Sequence, residues 1–229
     1  MGTGCKPVGV ILRRFESSPA HQYNGEPSRA RRCASGTLQV MGRISNRWIM
    51  WSAIAALALC LLVGLVIPMD RLDGKGWPTR AIGYPLSAIV LPGWWRLFGK
   101  RRGAPFPHLA TALFVTPFVL DLVGNLFRLF DEVQNFDDAL HFVNWAFLVA
   151  GVVVLLWPWR LDTWVLVWLG TGFGAIAIVL WEFVEYVVQE TGTTGLNLTY
   201  EDTISDLMLS SAGGVLGALV IVAAKRGRA

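Results

Sequence analysis

Six long stretches without a charged residue constrain the fold of this 229-residue chain more than any other feature. A helix that crosses a bilayer needs about 20 mainly apolar residues, and most of these stretches approach that length once a polar residue at one end reaches the interface. The sequence therefore predicts an all-α fold, a polytopic membrane helical bundle with six transmembrane helices. The predicted spans are about 48–69, 80–98, 106–127, 138–158, 163–185 and 203–224.

Composition agrees with a bilayer as the main partner. Apolar residues make up 54% of the chain and charged residues only 16%, against roughly 25% charged in an average soluble domain. Residues 1–120 carry 15 Lys and Arg, but these lie between apolar stretches, whereas a nucleic-acid-binding domain gathers them on one exposed surface. No nucleic-acid partner is expected. The three cysteines form neither a disulfide framework nor a CxxC pair.

The second span is the least regular, because Pro85 and Pro92 interrupt it. Charge distribution nevertheless supports six crossings. With the N-terminus inside, cytoplasmic segments after residue 40 hold ten Lys and Arg and outer segments hold four, as the positive-inside rule requires. Omitting this span would place either the basic cluster at 96–102 or the C-terminal one outside. Both termini are therefore predicted to be cytoplasmic.

The first 40 residues are rich in Arg, Ser, Gly and Pro and lack helical periodicity. One interpretation is a disordered basic tail. Another is that translation starts at Met41. In either case the transmembrane domain is predicted over 41–229, and the sequence leaves its oligomeric state open.

Polar side chains recur near the same end of the last four predicted helices. Asp121, Asn125 and Arg128 are spaced i, i+4, i+7, which predicts one shared helix face. The whole set comprises Asp121, Asn125 and Arg128 on the third helix, Asp137, Asp138 and His141 on the fourth, Glu182, Glu185 and Gln189 on the fifth, and Asp202 and Asp206 on the sixth.

An isolated ionised carboxylate at this depth is costly, so these groups should face the bundle interior and share cations, protons or Arg128. Oxygen ligands with one imidazole favour Mg²⁺, Ca²⁺ or Mn²⁺, and Zn²⁺ or iron through His141. A divalent cation is the one cofactor that the sequence suggests. The predicted metal ligands are Asp138, His141, Glu182, Glu185, Asp202 and Asp206, supported by Asp121, Asn125, Arg128, Asp137 and Gln189.

Other interpretations remain open. Crowded carboxylates also favour a shared proton, which would make the cluster a proton acceptor. Polar helix ends are common at a membrane surface, and Asp202 before Thr203 suits an ordinary N-cap. The GxxxG spacings at 170/174 and 213/217 are typical of small residues inside a helical bundle. Whether the chain is an enzyme stays open, because no hydrolase triad, P-loop or dinucleotide fingerprint occurs.

Three motifs carry a resemblance to known families. They are FDDALHF at 136–142, WEFVE at 181–185, and YEDTISDL at 200–207 followed by GGxxG at 213–217. As an ordered set they resemble the YjdF-like bacterial inner-membrane proteins and, more distantly, the VanZ-like proteins. The resemblance covers roughly residues 110–222 and implies a multi-pass protein of the bacterial inner membrane without an established activity. VanZ-like proteins are linked to teicoplanin resistance, but this sequence lacks the Arg expected near the last Asp.

Three functions fit these observations. The first, which we place ahead, is an outward-facing site that binds a divalent cation and acts on or recognises a lipid or envelope headgroup. The second is a cation- or proton-coupled transporter, for which Asp121 is the carboxylate nearest the midplane. The third is a non-catalytic envelope or assembly protein whose acidic rim binds partners or counterions.

Overall fold

The computed structural model describes residues 29–191 and 198–226, with side chains from residue 45 onward except at residue 71. The chain divides into two units between Leu38 and Gln39. Of the predicted tail over 1–40, residues 1–28 lie outside the described part, and the rest is the start of α1. The helices are α1 (Arg29–Val66), α2 (Trp77–Gly83), α3 (Pro85–Trp94), α4 (His108–Leu126), α5 (Leu129–Glu132), α6 (Phe136–Leu156), α7 (Thr163–Glu190) and α8 (Tyr200–Arg226).

The described residues contain no strand, which confirms the all-α class. Five helical segments are long and apolar enough to cross a membrane. They confirm five of the six predicted spans as helices of the required length and composition. Their bounds are Ser45–Val66, His108–Leu126, Phe136–Trp159, Thr163–Glu190 and Tyr200–Arg226.

The predicted span at 80–98 is divided between α2, α3 and a π-helical turn at Trp95–Gly99. Pro85 and Pro92 cause part of this division, because proline has no backbone N–H to continue the helical hydrogen bonds. The backbone at the two junctions, Tyr84 and Trp95, is still right-handed helical. The sixth crossing therefore stays a prediction.

Large apolar side chains cover much of the outer surface of the spans. Trp164, Trp168, Ile176 and Phe183 along α7 are all exposed within the chain. Water-soluble proteins rarely expose apolar faces of this extent, whereas the hydrocarbon of a bilayer covers them. The chain is therefore built to lie in a lipid bilayer.

Helix α6 lies at the centre of the second unit and packs against α4, α7 and α8. Its approach to α8 depends on two glycines. A Cβ added to Gly213 would collide with the Phe142 carbonyl oxygen, and one added to Gly217 would collide with the Ala146 carbonyl oxygen. The 213/217 glycine pair, expected to be small residues inside a helical bundle, therefore allows this close approach of α6 and α8.

The connection from α4 to α6 corrects one prediction. Helix α4 ends at Leu126, and Arg128 adopts a left-handed backbone with φ of 59°. Arg128 therefore does not continue the face of Asp121 and Asn125, because the chain has already turned into α5. The end of α4, the start of α6, the end of α7 and the start of α8 follow one another in an up-and-down order, which brings them to one end of the bundle.

Candidate metal centre

Asp206 on α8 is the common member of two groups of potential metal ligands. The first group is Asp137, His141 and Asp206, and the second is Glu182, Glu185 and Asp206. Within each group, one ligand atom from every residue lies within 4.8 Å of the others. Two oxygens on opposite sides of a Ca²⁺ ion lie up to about 5 Å apart, given bonds of about 2.3–2.6 Å. Each group therefore has a spacing that suits a bound cation.

The close contact between α6 and α8 explains the first group. His141 precedes Phe142, whose carbonyl faces Gly213, so its ring meets α8 one turn before that glycine. The His141 Nε2 atom lies 3.6 Å from an Asp206 carboxylate oxygen and 3.8 Å from an Asp137 oxygen. The Nδ1 atom lies 3.1 Å from the Ser210 hydroxyl. A hydrogen bond at the second ring nitrogen is the usual means by which proteins orient a metal-binding histidine.

Of the second group, Glu182 on α7 has the carboxylate that is least favourable to bury in its ionised form. Glu182 is only 8% exposed. Neither of its carboxylate oxygens has a hydrogen-bond partner of standard geometry among the described residues. The Thr203 hydroxyl is a neighbouring side-chain donor, but one hydroxyl does not neutralise an ionised carboxylate. A buried charge without a partner costs several kcal/mol. An ionised Glu182 therefore needs a positive partner that the described side chains do not provide.

Glu185 is better satisfied, because the Trp181 indole N–H donates to its Oε1 atom at 2.7 Å. This bond fixes the carboxylate near Glu182 and leaves its other oxygen available. Both residues lie on the face of α7 that turns towards α8.

Two predicted ligands, Asp138 and Asp202, lie outside both groups. Asp138 accepts a hydrogen bond of 3.0 Å from the Ser205 hydroxyl. The amide of Asp202 donates to the Thr199 hydroxyl at 3.1 Å. Thr199 therefore caps α8, and the N-cap interpretation of Asp202 is wrong, because the helix begins at Tyr200.

Asp121, predicted as a supporting residue, is bound by a separate pair. Arg80 Nε donates to its carboxylate at 3.0 Å and the Tyr84 hydroxyl donates at 2.7 Å. Asn125 donates from its side-chain amide to the Asp121 backbone carbonyl at 2.9 Å. Sequence reasoning missed Arg80 and Tyr84, although their i, i+4 spacing on the second predicted span was a usable signal.

The remaining supporting residues, Arg128 and Gln189, belong to neither ligand group. Arg128 pairs with Glu132 at 3.4 Å, and both side chains are more than half exposed, so Arg128 is not the counter-ion of the cluster. Gln189 has a buried side-chain oxygen without a partner among the described residues.

A cavity of about 790 Å³ lies beside both groups. Asp137 and Glu185 line it and also belong to the two ligand groups. Its described lining includes seven carboxylates and only two basic side chains, Lys75 and Arg80. The Lys75 ammonium is paired with Asp131 at 2.7 Å and Arg80 with Asp121, so the cavity keeps a strongly negative wall.

Comparison with known protein families gives a match over most of the chain. A family described as "Predicted membrane protein (DUF2238)" matches residues 48–227. No curated protein and no solved structure matches the chain. The match covers all the residues that form the two ligand groups and agrees with the resemblance to YjdF-like membrane proteins of unknown function.

Proposed function

We propose, from the premise that this chain belongs to the DUF2238 family of membrane proteins, that it binds a divalent cation at the outer end of its helical bundle and presents it to a lipid or envelope headgroup. The observation that carries the proposal is the buried Glu182 carboxylate, which has no hydrogen-bond partner of standard geometry among the described residues. It lies within 4.8 Å of ligand atoms from Glu185 and Asp206. A cation between these carboxylates offsets their mutual repulsion and their desolvation.

The surrounding basic side chains support a cation rather than an internal ion pair. Arg80 forms an ion pair with Asp121, Lys75 with Asp131 and Arg128 with Glu132. None of these pairs includes a member of the two ligand groups. Since none of these basic side chains neutralises an ionised Glu182, a divalent ion from solution is the partner that we propose for it.

The adjoining cavity supports the proposal that a headgroup binds beside the cation. Because Asp137 and Glu185 belong both to the cavity wall and to the ligand groups, a polar group in the cavity would reach the edge of the cation site. The cavity volume, about 790 Å³, falls within the usual range of small-molecule sites, about 300–1,000 Å³. We place the protein in the bacterial inner membrane, with this end facing outward.

The transporter alternative is not favoured, because it needs an available charge near the midplane and Asp121 is the carboxylate nearest to it. In the structure the Asp121 carboxylate accepts hydrogen bonds from Arg80 and Tyr84. A non-catalytic acidic rim remains the outcome if no metal binds.

The outward orientation requires the sixth crossing, and cysteine labelling tests it. In a background without the three native cysteines, we expect an impermeant maleimide on intact cells to label Asp73→Cys and Gln134→Cys but not Arg101→Cys. All three positions are exposed, so exposure alone does not separate them. Continuous right-handed helical geometry at Tyr84 and Trp95 supports this expectation. Equal labelling at 73 and 101 would show that the segment between them does not cross.

Metal analysis tests the cation site. Protein purified in detergent is equilibrated with Mn²⁺ and dialysed, and its metal content is measured. We expect wild type to retain Mn²⁺ and Glu182→Gln to retain at least one ion fewer per chain. Because a ligand that binds only the folded state stabilises it, Mn²⁺ should also raise the Tm of wild type by more than that of the variant.

Glu190→Gln is the matched control, since Glu190 lies on the same helix, is exposed and belongs to neither group. It should bind as much Mn²⁺ as wild type. Absence of retained Mn²⁺ in wild type, or equal retention in wild type and Glu182→Gln, would reject the proposed cation site.

A further inference from the structure

We infer that the centre holds a second divalent cation on its His141 side and that the Asp206 carboxylate bridges the two ions. This inference rests on the proposed function, because it adds a second ion to the site at Glu182. His141 and Glu182 fall into different ligand groups, and Asp206 is the residue common to both. A carboxylate has two oxygens with several lone pairs, so one oxygen can serve each ion.

If all four carboxylates of the two groups are ionised, charge balance favours two ions over one. The two groups contain four carboxylates, Asp137, Glu182, Glu185 and Asp206, and one imidazole. A single divalent cation would leave two negative charges uncompensated, whereas two divalent cations match the four carboxylates with a neutral His141. Asp206 is only 2% exposed, so an ionised Asp206 must be balanced by a neighbouring cation or proton rather than by water.

The position of His141 supports the second ion independently. Its Nε2 atom is 3.6 and 3.8 Å from two carboxylate oxygens, which is too long for hydrogen bonds. When Nδ1–H donates to Ser210 and Nε2 carries no proton, the Nε2 lone pair faces these oxygens, and a cation between them removes the repulsion, as a proton on Nε2 would. Two ligands bonded to one ion at about 2.0–2.2 Å lie roughly 3–3.7 Å apart, close to the observed separations.

The two positions differ in chemistry. The side of Glu182 and Glu185 offers only oxygen ligands, which suit Mg²⁺, Ca²⁺ and Mn²⁺. The side of His141 adds an imidazole nitrogen, which binds transition ions such as Mn²⁺ or Zn²⁺ more strongly than it binds Mg²⁺. Mn²⁺ should therefore fill both positions. Excess Mg²⁺ should displace it more readily from the position at Glu182 and Glu185 than from the position at His141.

Counting bound Mn²⁺ in the full chain tests the second position. We expect two ions per wild-type chain, one after His141→Gln, one after Glu182→Gln, and none in the variant that carries both substitutions. A large excess of Mg²⁺ should remove one of the two ions from wild type and none from Glu182→Gln. Glu201→Gln is the control for His141→Gln, because Glu201 is exposed on α8 and belongs to neither group, and it should keep two ions.

Electron paramagnetic resonance on Mn²⁺-loaded wild type tests the bridge without a substitution that risks unfolding. Two ions that share the Asp206 carboxylate should give a spin-coupled spectrum without the resolved hyperfine lines of isolated Mn²⁺. One ion per wild-type chain, unchanged by His141→Gln, would overturn this inference and leave the proposed function intact. No retained ion in wild type would overturn both, and two ions with uncoupled spectra would overturn the bridge.

Discussion

Alanine at Gly213 or at Gly217 is expected to prevent the bundle from forming, with a loss of more than about 4 kcal/mol of stability, the range reserved for severe packing defects. The added Cβ would collide with the carbonyl oxygen of Phe142 or of Ala146. Backbone atoms in the middle of a helix cannot turn aside as a flexible side chain does, so α6 and α8 would have to separate. Size-exclusion profiles and thermal unfolding of detergent-purified protein measure the effect.

Gly172→Ala is the matched control on α7, because a Cβ added there meets nothing within 4 Å. Alanine is favoured over glycine within a helix by about 1 kcal/mol, so this control should unfold at or slightly above the wild-type temperature. A Gly213→Ala protein as stable as the Gly172→Ala control would show that the α6–α8 contact is not as close as described.

Leucine at Arg80 is expected to destabilise the protein by about 3–5 kcal/mol, the usual cost of removing one partner from a buried ion pair. The Arg80 and Asp121 side chains are 19% and 16% exposed. Without the guanidinium, the Asp121 carboxylate keeps only the Tyr84 hydroxyl as a side-chain donor. Thermal unfolding of the purified variant measures the loss.

A double-mutant cycle separates the unpaired charge from lost packing. Because Arg80→Leu combined with Asp121→Leu removes both charges, it should be more stable than Arg80→Leu alone. Arg128→Leu is the control: its pair with Glu132 is more than half exposed on both sides, and such pairs contribute at most about 1 kcal/mol. If Arg80→Leu and Arg128→Leu unfold at the same temperature, the Arg80–Asp121 pair is not structurally important.

Five spans were predictable because the cost of placing a charge in hydrocarbon acts on each segment by itself. The span around Pro85 and Pro92 was harder to predict, because its helical continuity depends on local backbone geometry, which the composition does not show. Helix α8 shows a smaller error of the same kind: its start depends on the Thr199 hydroxyl, and Asp202 looked equally suitable.

The acidic end of the bundle was also predictable, because helix direction follows from the order of the spans. The sequence did not predict which of these carboxylates lie close together. Asp137 and Asp138 are neighbours in sequence, yet only Asp137 joins the group with His141, because successive helical residues point about 100° apart. Partners on other helices, such as Ser210 for His141, depend on how α6 and α8 are rotated against each other.

One stripe of α8 carries both the chemistry and the packing. Asp206, Ser210, Gly213 and Gly217 are all buried and follow one another at i, i+4, i+7 and i+11, so they lie along a single side of the helix. Because the glycines hold that side against the α6 backbone, α8 cannot rotate to bring its carboxylate nearer to, or further from, an arriving ion. Ligands held at a set separation select among ions by radius, since a small ion would leave its bonds stretched and a large one would be compressed.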